Sequence, residues 1–142
     1  MNPKYLIDYV RYKRMIFLIL IGVFLGSCNK QPFTPDYKNI GGYVIGKETC
    51  NTTETDDYWL LDFTVYPNSP QIGDTLILNG VTYTNVLKLK GLGQRLRQIN
   101  MKVSIDYKKV TADKIITQGC NVNSPVTYPL KEIFIINQGE IR

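Results

Sequence analysis

Eight basic side chains, Lys88, Lys90, Arg95, Arg97, Lys102, Lys108, Lys109 and Lys114, fall within 27 residues that hold only Asp106 and Asp113 in opposition, a local charge of +6. Such a segment suits phosphate, carboxylate or sulfate groups, and Lys88, Lys90, Arg95 and Arg97 are its candidate anion-binding residues. The plainer alternative is a solvated charged face. A second group, Glu54, Asp56 and Asp57 in "TETDDYW", offers carboxylates but lacks the alternation and glycine of an EF-hand calcium loop. A solvated acidic loop is expected there, and no metal site is assigned. The chain contains no histidine. That removes a serine or cysteine nucleophile activated by imidazole and the commonest zinc ligand. No catalytic residue is assigned and no cofactor is expected. A small hydrolase stays as a second alternative only, because nothing pairs a nucleophile with a base.

The cysteines divide by their surroundings. Cys28 closes "MIFLILIGVFLGSCNK" (15–30), whose apolar run covers 11 residues, Met15 to Leu25. A bilayer-spanning helix needs about 20. Lys4, Arg11, Lys13 and Arg14 precede the run against Asp8 alone, the order of a secretory signal. Translation from Met15 would remove these basic residues, so the full-length reading is preferred. Leu25-Gly26-Ser27-Cys28 resembles the lipobox of bacterial lipoproteins, cut before a lipid-modified cysteine. The resemblance implies a signal peptide over 1–27 and lipidation of Cys28; an ordinary secretory signal or a buried helix is the alternative. Two acyl chains suffice for stable anchoring. With Cys28 taken by lipid, Cys50 and Cys120 remain as the pair in a compartment that permits disulfides. They are predicted to be bonded; two buried free thiols are the alternative.

Removing 1–27 changes the charge argument. The whole chain is formally +5, but thirteen basic and eleven acidic residues remain after Ser27, a net of +2. Residues 28–87 carry three basic and seven acidic side chains, so the remainder is polarised along the sequence. A chain of this length fits one domain with a modest core.

The elements that must position these groups are mostly strands. Residues 29–40 hold two prolines and no period, and read as a tether. "GGYVIGKE" (41–48) reads as a strand opening on paired glycines. "YWLLDFTVY" (58–66) places Trp59, Leu61, Phe63 and Val65 on one face. "TLILNGVTYTNVLKLK" (75–90) contains Asn79-Gly80 between β-prone runs, a type I′ hairpin signal. "GLGQRLRQIN" (91–100) predicts one or two helical turns. "MKVSIDYKKV" (101–110) alternates Met101, Val103, Ile105 and Tyr107 inward with Lys102, Ser104, Asp106 and Lys108 outward. Residues 111–129 read as a long connection with strand character at "KIITQG", and "KEIFIINQGEI" (131–141) as the last strand.

That order resembles the OB-fold, a five-stranded Greek-key barrel. The pattern "GYVIGKETC", a Trp strand, "GVTYTNV", a short turn, "MKVSIDY" and a late cysteine before "EIFII" is similar to small OB-like domains of Bacteroidota envelope lipoproteins. The expected fold is therefore mainly β: an OB-like barrel of five to six strands with one short helical turn over 41–142, after a lipidated tether over 28–40. The segment "PNSPQIGDTLIL" (67–78) departs from five-strand topology and predicts an added strand. The resemblance implies ligands at the face of the second and third strands and at the loops after the first and fourth. Cys50 and Cys120 fall in those loops, where a bond would either preorganise a binding rim or simply fasten the barrel. Asp74-Thr75-Leu76 is similar to the O-glycosylation motif of exported Bacteroides proteins, implying Thr75 as acceptor; Asp-Thr is equally a turn before a strand.

The expectation is a non-enzymatic, lipid-anchored envelope binding module. Its first alternative is a binder of lipopolysaccharide phosphate or acidic glycan through 88–114. The expected partners are the membrane, through the anchor, and an envelope protein or anionic glycolipid; nucleic acid is disfavoured in that compartment. The residues after Cys28 lack the acidic cluster of a surface-export signal, so the periplasmic face of the outer membrane is expected.

Overall fold

Short β-prone runs separated by turn residues build one six-stranded sheet. The computed structural model describes residues 34–67, 69–111 and 119–142. Its strands are β1 (Tyr37–Lys47), β2 (Trp59–Asp62), β3 (Asp74–Leu78), β4 (Val81–Lys90), β5 (Lys102–Lys109) and β6 (Glu132–Glu140), with single 3-10 turns at Glu54–Asp56 and Gln94–Leu96. The chain is mainly β, as its alternation predicts. Among the described residues no helix is long and apolar enough to cross a membrane. Residues 15–30, with Cys28, lie outside the described residues, as do Lys114 and most of "KIITQG".

The ladders explain where each side chain points. β1 pairs antiparallel with β2 and β5, β2 with β4, and β5 with β6, while β4 and β6 run parallel. These pairings return to the strand they start from. β3 pairs with β4 alone, and Val86 has Asp62 of β2 on one edge and Asp74 of β3 on the other. One apolar cluster takes alternate residues from the five strands of the circuit, including Val44, Leu61, Leu87, Leu89, Val103, Ile105, Tyr107 and Ile133. A second lies on the opposite side of β1, β2 and β4, where Ile45, Leu60 and Val86 meet Leu76 of β3 and Leu130 of the last connection. This double burial makes all four residues of β2 buried.

Local chemistry sets the ends. Asn79 and Gly80 both take positive φ, 51° and 81°, as a type I′ turn requires. The extra strand predicted within 67–78 is β3. Its approach to β4 is so close that a Cβ on Gly73 would strike the backbone of Asn85 and Val86. Asn85, fully buried, holds this corner: its side chain accepts from the Ile72 and Gly73 amides and donates to the Pro70 carbonyl.

Three boundaries differ from expectation. β1 starts at Tyr37, inside the stretch read as tether, because Tyr37 stacks on Tyr107 at 5.1 Å and pairs with it across the ladder. β2 stops at Asp62 rather than running to Tyr66: the Phe63 amide still bonds Asn85, but residues 64–67 turn, and Val65 stays outside the core. The helical signal in 91–100 becomes one 3-10 turn that buries Leu96.

Candidate functional site

The loop after β1 and the connection before β6 are joined by the Cys50–Cys120 disulfide. Hydrogen bonds join them as well. The Thr49 and Val126 backbones exchange bonds of 2.9 and 3.0 Å, the Asn121 amide donates to the Cys50 carbonyl, and the Thr52 amide donates to Asn121 Oδ1. Asp57 shapes the first loop from within, its Oδ1 accepting from the amides of Cys50 and Asn51 at 2.9 and 2.8 Å. Glu54 pairs with Lys47 at 2.9 Å. The acidic trio is therefore divided, with Asp57 turned into the loop and Glu54 toward a lysine. Among the described residues no group of three potential metal-ligating side chains converges.

Beneath the staple lies a buried ionic knot. Glu48, 2 % exposed, accepts from Lys88 Nζ at 3.2 Å and from the Tyr128 amide at 2.8 Å, while Lys88 also donates to the Tyr128 carbonyl at 2.9 Å. Lys88 and Lys90 project toward the Tyr58 ring, with Nζ at 4.8 and 4.6 Å from its centroid. The Tyr58 hydroxyl bonds to Glu132, the ladder partner of Lys88. Burial, then that bond and the charges of Glu132 and Glu48, push the Tyr58 phenol well above its ordinary range. The two ammonium groups lie against its ring.

The knot borders a cleft of about 360 Å³ at the start of β6. Its floor is apolar, from Ile72, Leu87, Tyr107, Val110 and Ile133, and its rim polar, from Gln71, Lys109, Lys131 and Glu132. Lys131 pairs with Asp74 at 2.8 Å, and its amide donates to the same carboxylate. Burial raises the Asp74 pKa, but these Lys131 interactions outweigh it and hold the carboxyl below its ordinary value. Lys109 Nζ stands 5.2 Å from the Tyr37 centroid. The Tyr107 hydroxyl is buried without a hydrogen-bond partner, and burial, then Tyr37 and Asp36, push its phenol up. A floor of this kind with two ammonium groups and one carboxylate at the rim fits a molecule with an apolar body and a polar or anionic head.

The four candidate anion-binding residues are not one free patch. Lys88 belongs to the buried knot, Lys90 to the Tyr58 ring, and Arg97 donates from Nε to the Leu92 carbonyl at 2.6 Å, while Arg95 is exposed on the 3-10 turn. Thr75 is exposed on β3. The cysteine pair was legible from the chain, whereas Glu48, Tyr58, Tyr128, Lys131 and Glu132 were not. Glu48 follows Lys47 just past the end of β1, and nothing in the local sequence sets it apart. No protein-family model, no curated protein and no solved structure matches this chain.

Proposed function

We propose that this chain is a lipid-anchored envelope protein, similar to small Bacteroidota lipoproteins, whose folded part is an OB-like barrel acting as a non-enzymatic binding module. Support for the anchor is the lipobox-like Leu25 to Cys28. Support for the OB-like reading is the five-strand circuit with one parallel ladder, β4 with β6, once β3 is set aside as an insertion. The face that such barrels usually offer, on β2 and β4, is covered here by Leu76 and Leu130. Binding therefore moves to the recess beside the connection that leads into β6, and this cleft is the observation that carries the reading. Lys109 and Lys131 at its rim favour, as the alternative, an anionic envelope component.

A photo-crosslinking side chain at position 71, in intact cells, tests it. One dominant envelope adduct is expected. A diffuse ladder, no different from that obtained at exposed Thr84 on β4, would contradict the reading.

A further inference from the structure

On the outer face of β1, β5 and β6, away from the cleft, two irregularities converge on one carboxylate. β1 carries an extra residue between Tyr37 and Ile40 where it pairs with β5, and β6 carries one between Ile135 and Asn137. Asp106 of β5 lies between the two. Asn39, in the first bulge, has φ 51°, a left-handed conformation that asparagine tolerates better than most residues. Bulges re-aim side chains and gather beside binding and active sites. Here they open a cup of about 180 Å³ walled by Asn39, Ser104, Asp106, Asn137, Gln138 and Gly139. It shares no residue with the cleft.

The hydrogen-bonding groups can be counted. Asp106 Oδ1 accepts from the Asn39 amide at 2.7 Å, which fixes the carboxylate, and among the described residues Oδ2 has no hydrogen-bond donor. Asn137 Oδ1 accepts from the Gln138 amide at 3.0 Å, leaving its NH₂ as donor. Gln138 is committed at both ends, to the Gly93 amide and the Gly91 carbonyl. What is left is one carboxylate acceptor, the Asn39 and Asn137 side-chain donors, and the Ser104 hydroxyl. A vicinal diol uses this set well: each hydroxyl donates to the carboxylate or serine and accepts from an amide. The wall holds no lysine or arginine, which disfavours an anion, and one carboxylate is little charge for a divalent cation. Tyr66, whose ring rests on Gly41, the ladder partner of Ser104, is not part of the wall, and Lys102 Nζ stands 5.0 Å from its ring centroid. The volume is below the ~300 Å³ of drug-sized pockets, so one small ring fits. Gly139 faces Ser104 across the ladder, and a Cβ there would meet nothing within 4 Å.

We propose that this cup binds a single neutral pyranose through a pair of adjacent hydroxyls, an activity separate from that of the cleft. The test titrates the full chain in detergent with the methyl glycosides of glucose, galactose, mannose and fucose, following backbone amide resonances. At least one glycoside is expected to shift Ser104, Asp106, Asn137 and Gly139 saturably at millimolar concentration. Asp106→Asn keeps the acceptor for the Asn39 amide but loses the free one, and should weaken that glycoside at least tenfold. Gly139→Leu, which fills the cup from a position with open space, should abolish binding with the melting temperature unchanged. No saturable shift with any of the four, shifts that survive both variants, shifts centred on Ile72 and Leu87, or the same shifts with calcium chloride alone would each overturn the proposal.

Discussion

Glu48 is the residue on which the stapled end depends. It is almost fully buried, and its carboxylate answers both an ammonium and a backbone amide. Removing one member of a buried pair strands the other, which costs more than the pair itself contributes. Glu48→Ala is therefore expected to lower unfolding free energy by about 3 kcal/mol in chemical denaturation. The double variant Glu48→Gln with Lys88→Met should recover most of it, because Gln still accepts from Tyr128 and no charge is left stranded. Asp74 makes a pH-dependent contribution of opposite exposure. Its native pKa is depressed by Lys131, so the native state prefers the ionised form, and the stability it adds is present above the ordinary carboxylate value near ~4 and lost as pH falls through the native value. Stability measured against pH should show wild type above Asp74→Asn at neutrality, with the gap closing under acid. A gap independent of pH would remove Lys131 as its cause.

At the scale of elements, the disulfide closes a separation of 70 residues, for which chain entropy gives about 4 kcal/mol. The backbone bonds between Thr49 and Val126 do not depend on it. Cys50→Ser with Cys120→Ser should consequently remain folded, with a β-rich circular dichroism spectrum and a denaturation midpoint reduced accordingly. What could be read beforehand follows from range. Asn79-Gly80 and the alternation of 101–110 are local chemistry, and β3, β4 and β5 fall where they point. β2 ends earlier than the alternation predicts, because Phe63 continues the inward period and still bonds Asn85 while residues 64–67 turn away. The ionic knot joins residues 40 and 80 positions apart, and the Asn39 to Asp106 contact spans 67. No periodicity encodes such partners. The bulges are equally silent, since an extra residue shifts register without changing composition.

For the whole molecule, the polarity along the sequence is partly cancelled by the sheet. Acidic early residues meet later lysines in Glu48 with Lys88 and Asp74 with Lys131; the first pair withdraws Lys88 from the +6 segment, and Lys131 lies beyond it. Anchoring is a separate matter: Cys28→Ala should leave an unprocessed precursor, and normal mature protein would refute the lipobox reading. The central claim is that a non-enzymatic module holds an envelope component in the cleft at the head of β6. It is tested most directly by capturing the lipidated protein from solubilised envelopes in parallel with Gln71→Trp, which obstructs the cleft from an exposed position. One dominant companion with wild type, at least tenfold depleted with the variant, is the expected result; the same companions in equal amount from both would contradict it.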